Sequence, residues 1–113
     1  MAFERWQVVR VPFPFTDRAA SKNRPALVLS SAQAFNTPAG HVVLAMITSA
    51  RHAPWPLDCV LEDLATAGLP APSMVRMKLF TLDVRLIRDP LGRLAGADRK
   101  RVEHALAQLW GDR

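Results

Sequence analysis

Arg24 stands between a polar loop and an apolar run, and Pro25 behind it disfavours helical backbone at that point. The guanidinium is therefore carried on an extended segment at the mouth of a strand. With Lys22 and Arg18 close by, this setting suits a bidentate grip on a phosphate. An arginine here can equally cap loop carbonyls, and spacing alone leaves both roles open. Thr48 and Ser49 close a second apolar run, so their hydroxyls either emerge at a sheet edge toward a phosphate oxygen or fold back as turn-formers. The remaining reactive types are sparse. Cys59 is the single cysteine, and His41, His52 and His104 are too far apart in sequence to form a cluster at metal-ligand spacing. Neither a metal nor a cofactor is expected, and a lone cysteine fits a reducing cytoplasm.

The elements that must hold these residues can be read from apolar patterning. Gln7 to Phe13 is rich in valine and ends in Pro12 and Pro14, which predicts a strand near a sheet edge. A loop follows from Thr16 to Asn23. Continuous apolar runs at Pro25–Ser30 and Val42–Ile47 predict buried strands, separated by a short segment around Ala32–Asn36 and a turn at Pro38-Ala39-Gly40. A proline-containing loop, Ala50–Pro56, leads to a strand candidate at Leu57–Leu61 and a helical turn at Leu64–Gly68. From Ser73 to Thr81, Val75, Met77 and Leu79 alternate with Arg76, Lys78 and Phe80, the period-two pattern of a half-exposed strand with one polar face. Val102, Leu106 and Leu109 recur at helical spacing, with Asp98 in the first turn and Gly111 past the last. About five strands around one core with a terminal helix predict a small barrel or strongly curved sheet.

The chain has 113 residues, half of them hydrophobic and 22% charged, which fits a packed domain spanning residues 1–113 and excludes intrinsic disorder. No apolar run is long enough to span a membrane, and Met1 to Trp6 does not open like a secretion signal. The net charge of +5 favours an RNA, DNA or acidic-protein partner.

Several stretches taken in order resemble the PemK/MazF family of toxin ribonucleases. They are Val11-Pro12-Phe13-Pro14-Phe15-Thr16-Asp17, Lys22-Asn23-Arg24-Pro25-Ala26-Leu27-Val28-Leu29-Ser30, Phe35-Asn36 and Ile47-Thr48-Ser49. Later pieces are Trp55-Pro56, Ala67-Gly68-Leu69, Pro72-Ser73-Met74-Val75-Arg76, Lys78 to Asp83 and Leu91-Gly92-Arg93-Leu94. The resemblance implies a mainly β protein, a small SH3-like barrel with a C-terminal helix. It also implies a homodimer, a cognate antitoxin with an acidic tail, and metal-independent cutting of single-stranded RNA. The family's catalytic arginine falls on Arg24 and its catalytic hydroxyl on Thr48. Three positions depart from the family pattern. Trp6-Gln7 stands where Gly-Asp is common, Ala19 lies where some members carry a loop glutamate, and Met77-Lys78 replaces a frequent Asp-Gln.

Metal-free cleavage through the ribose 2′-hydroxyl needs proton removal, protonation of the leaving group and stabilisation of a phosphorane. Arg24 and Thr48 suit the last task. Asp17 and His52 are the candidates for proton transfer, although Asp17 also fits a turn and His52 a solvated loop. Lys22, Asn23, Ser49, Arg51 and Lys78 are candidate polar RNA contacts, and Phe15 and Trp55 candidate stacking platforms. Core or dimer packing is expected for Phe13 and Phe35, packing on the helix's apolar side for Trp110, and a solvated face for Arg99-Lys100-Arg101. Two other readings fit the same fold. One is a non-catalytic toxin directed at DNA gyrase, because Trp110-Gly111 resembles the end of the CcdB toxins. The other is a degenerate barrel that binds RNA or antitoxin without cutting.

Overall fold

A computed structural model describes residues 3–13 and 22–112. Six strands form one antiparallel sheet: β1 (Gln7–Pro12), β2 (Asn23–Val28), β3 (His41–Ser49), β4 (Cys59–Val60), β5 (Ser73–Asp83) and β6 (Asp89–Arg93), in the order β4-β5-β3-β2-β1-β6. The short helices α1 (Thr37–Ala39) and α2 (Leu64–Ala67) lie in connections, and α3 (Gly96–Leu109) ends the fold. Register shifts at Ala45/Met46 between β3 and β5, and at Val8/Val9 between β1 and β6, add local twist. The sheet is a curled half-barrel, the mainly β fold with a C-terminal helix expected from the sequence.

The continuous apolar runs have a direct cause: the central strands are buried on both faces. Val8, Leu27, Ala45 and Ile47 join a core closed by Val102, Ala105 and Leu106 of α3, while Val9, Val11, Ala26, Val28, Val42 and Leu44 pack on the opposite face with Phe13. Helix α3 is docked at its start by Asp98, whose buried carboxylate accepts hydrogen bonds from Glu62 N at 3.1 Å and Asp63 N at 3.0 Å and pairs with Arg101. Arg101 also reaches the Val60 carbonyl (2.8 Å) and Glu62 (3.1 Å), and Arg99 lies over the Trp6 ring. The expected solvated face at Arg99-Lys100-Arg101 is thus in part a clamp on β4 and the chain start.

Other expectations are corrected. β6 is a strand the sequence pattern hid, because Pro90 and Gly92 interrupt it. Trp110 is 63% exposed: it caps α3 beyond the last turn and so lies past the core its spacing pointed to. Phe35 is also exposed, on the π-helical turn Ala32–Asn36, whereas Phe13 is buried as expected. Trp6 adopts a left-handed φ of 76°. Bulky residues rarely do so. Burial of the indole between the Arg5 and Arg99 guanidinium groups offsets the strain.

Two motif glycines are explained by contact between α2 and β6. Gly68 caps α2 with φ +73°, and a Cβ there would stand 2.0 Å from the Leu91 carbonyl oxygen. A Cβ on Gly92 would stand 2.4 Å from the Thr66 carbonyl oxygen. Both obstacles are backbone, so neither can rotate away. Gly68→Ala should therefore destabilise the protein by about 2–3 kcal/mol, combining left-handed strain with overpacking. Urea unfolding would read the loss, and a change below about 0.5 kcal/mol would contradict the close approach.

Candidate active site

The β2–β3 register pairs Ala26 with Met46, and two residues further along each strand stand Arg24 and Thr48. Antiparallel partners point to the same face. Arg24 lies over the Phe13 ring, 5.8 Å from its centroid, which places it at the edge of the core face formed by Val11, Ala26 and Leu44. It is half-buried, and no hydrogen bond or ion pair to a described residue restrains the guanidinium.

Thr48 is only 5% exposed, yet its hydroxyl is engaged: Oγ1 lies 2.8 Å from Nδ1 of the exposed His52. The chain turns directly after β3 to allow this. His52 N donates to the Ser49 carbonyl at 3.1 Å, Arg51 N to Ser49 Oγ at 3.2 Å, and Ala50 N to the Pro72 carbonyl at 3.1 Å. Ser49 thus takes the turn-forming role and Thr48 the role facing the histidine.

The rest of the loop is tied to β5. Arg76 donates to Asp58 through Nε (3.2 Å) and Nη2 (3.0 Å), and to the Ala53 carbonyl at 2.7 Å. Its guanidinium lies 5.0 Å from the Trp55 ring centroid, with Lys78 Nζ at 5.7 Å from the same ring. Asp58 also closes the turn, accepting from Trp55 N at 2.7 Å. The polar face expected along β5 is therefore not solvated at Arg76, which is 8% exposed, because the loop folds over it. Trp55 remains 43% exposed, available as a platform.

The structure places Thr48 against His52, Ser49 against Arg51 and Trp55 beside Lys78, with Arg24 at the same end of β2. Lys22 and Asn23 are exposed at the entry to β2. Phe15 and Asp17 lie outside the described residues. Sequence reading missed Arg76 and Asp58 as organisers of the site; the arginine interrupting apolar Val75 and Met77 was the available signal, but period two assigned it to solvent. Among the described residues no group of His, Cys, Asp and Glu is placed to hold a metal ion, and no helix is long and apolar enough to cross a membrane. His41 is exposed at the opposite end of β3 from Thr48, and His104 is exposed on α3. Cys59 is buried, and burial pushes its thiol pKa up. Native protein should therefore resist iodoacetamide at neutral pH until unfolded, and rapid native alkylation would contradict this setting.

The arrangement sets cationic groups and a hydroxyl near an aromatic surface, a combination able to donate to a phosphodiester and to stack a base. Residues 4–110 match the family model described as "PemK-like, MazF-like toxin of type II toxin-antitoxin system". Among solved structures, MazF from Deinococcus radiodurans in its first crystal form is 23% identical, covering 98% of each chain with a TM-score of 0.76. A MazE–MazF complex from the same organism is 25% identical, also covering 98% of each chain, with a TM-score of 0.77. A mycobacterial endoribonuclease crystallised with its cognate antitoxin is 21% identical over 97% of this chain and 96% of that one, with a TM-score of 0.74. No curated protein sequence matches the chain significantly.

Proposed function

The chain belongs to the PemK-like, MazF-like toxins of type II toxin–antitoxin systems, and from that membership we propose that it is a sequence-specific endoribonuclease acting on single-stranded RNA without a metal ion. The observation that carries this reading is the placement of Arg24 and Thr48 at the same end of β2 and β3, each two residues beyond the paired Ala26 and Met46. In this role the 2′-oxygen attacks the adjacent phosphorus, the bond to the 5′-oxygen breaks, and the products are a 2′,3′-cyclic phosphate and a 5′-hydroxyl end. Arg24 meets the charge that grows on the non-bridging oxygens with paired N–H donors. The Thr48 hydroxyl donates to the same phosphoryl group. Lys22, Asn23, Ser49, Arg51 and Lys78 contact the strand and Trp55 stacks a base, with Phe15 as a second platform.

We assign residues 1–113 to one toxin domain, working in the cytoplasm as a homodimer. Its proposed partner besides RNA is a cognate antitoxin whose acidic tail complements the +5 charge. Related toxins were crystallised in such company, as the MazE–MazF and endoribonuclease–antitoxin complexes record.

The test is a long unstructured RNA incubated with purified protein and EDTA, followed by mapping of the new ends. Cuts recurring at one short motif with 5′-hydroxyl ends are expected. Intact RNA after incubation with folded protein would overturn the reading. The exposed Trp110 before Gly111 would then bring forward the gyrase-directed reading, checked by a supercoiling assay.

A further inference from the structure

Metal-free transfer needs an acceptor for the 2′-hydroxyl proton, and an arginine, which stays protonated in proteins, does not ordinarily supply one. Taking the ribonuclease reading as its premise, we propose that His52 is the general base. Its Nδ1–H donates to Thr48 Oγ1, which leaves Nε2 on the far side of the ring with a free lone pair.

Three observations carry this. First, the Nδ1–Oγ1 contact of 2.8 Å fixes the ring against a residue on the Arg24 face. Second, the choice of donor is decided by what Thr48 must also do. If the hydroxyl donated to Nδ1, its hydrogen would be lost to the phosphate; if it accepts, that hydrogen is free for the phosphoryl oxygen, and one contact orients both groups. This is the logic by which a histidine's second nitrogen sets the tautomer of the first. Third, the residue is exposed, but its backbone is not loose. His52 N is bonded to Ser49 O, and the adjoining Ala53 carbonyl is held by Arg76, itself paired with Asp58. The base is thus carried on a clamped turn beside the proposed phosphate donor, and the 2′-hydroxyl of bound RNA must come within hydrogen-bond reach of Nε2.

The step balances. The 2′-oxygen forms its bond to phosphorus as its proton passes to Nε2, and the P–O5′ bond breaks with its electron pair going to the 5′-oxygen. That oxygen takes a proton from solvent water, and the imidazolium returns one to solvent. Among the described residues, the charged groups at this end of the sheet are Arg51 on the same loop, Arg24 on β2, Lys78 on β5, and Arg76 on β5 with its partner Asp58 from the end of the loop.

His52→Asn separates catalysis from structure, because the Asn amide N–H can replace the Nδ1 donor to Thr48 without offering a base. With the RNA used above, wild-type kcat/KM should rise with unit slope along an acidic limb. His52→Asn should melt as the wild type does, lose that limb and cut about 100- to 10,000-fold more slowly. Wild-type cutting together with His52→Asn activity within threefold, or with an unchanged acidic limb, would overturn the proposal while leaving the ribonuclease reading standing. RNA left intact by wild type removes the premise, and the proposal with it.

Discussion

Arg24→Ala should lower the rate of RNA cleavage by about 100- to 1,000-fold, the cost of removing one donor to a developing oxyanion. The fold should hardly notice. Arg24 enters no hydrogen bond or ion pair with a described residue, and what it would lose is its contact with the Phe13 ring. An exposed cation–π contact contributes about 0.5–1 kcal/mol, which for a domain of this size corresponds to a melting shift of a few degrees. Arg24→Lys separates charge from geometry. Lysine keeps the positive charge but lacks the planar fork, so it should recover only part of the lost rate. The measurement is single-turnover cleavage of a short RNA containing the mapped motif. An Arg24→Ala protein that cuts at the wild-type rate would remove Arg24 from the chemistry whatever the family pattern implies.

This prediction rests on a residue whose surroundings the sequence announced in part. Pro25 and the apolar run behind it mark Arg24 as the mouth of a buried strand, and β2 does begin there, at Asn23. Period and length likewise found β3, β5 and α3, because burial on one or both faces leaves a pattern along the chain. What no local pattern contains is register. That Arg24 and Thr48 share one end of the sheet follows from the pairing of Ala26 with Met46, a long-range choice made by two faces of side chains at once. The Thr48–His52 contact was closer to legible, since a turn right after a strand can bring residues four apart together. β6 stayed hidden for the opposite reason. Its Pro90 and Gly92 read as loop punctuation, yet Gly92 is there because the α2 backbone passes too close for any side chain. Trp110 misled because helical spacing continues past the point where the core stops.

The largest loss of stability should come from Asp58→Ala, at about 3–5 kcal/mol in urea unfolding, the cost of leaving a buried charge without its partner. Both side chains of the Asp58–Arg76 pair are nearly sealed, at 8% and 9% exposure, so solvent screens them little. Without Asp58 the guanidinium keeps the Ala53 carbonyl and the Trp55 ring, neither of which carries a negative charge. The same change removes the acceptor for Trp55 N, so the turn that presents Trp55 loses its closing hydrogen bond. Asp58→Asn should fall between, retaining acceptor capacity while losing charge. Replacing the pair together, as Asp58→Leu with Arg76→Met, should recover most of the stability, because neither charge is then left buried. It should not recover cleavage, since the contact holding Ala53 beside His52 is gone. That split between a restored melting curve and a persistent kinetic defect distinguishes a pair that positions the loop from one that only stabilises the fold. If Asp58→Ala costs under 1 kcal/mol, or if the double replacement cuts RNA at the wild-type rate, the clamp does not position the site.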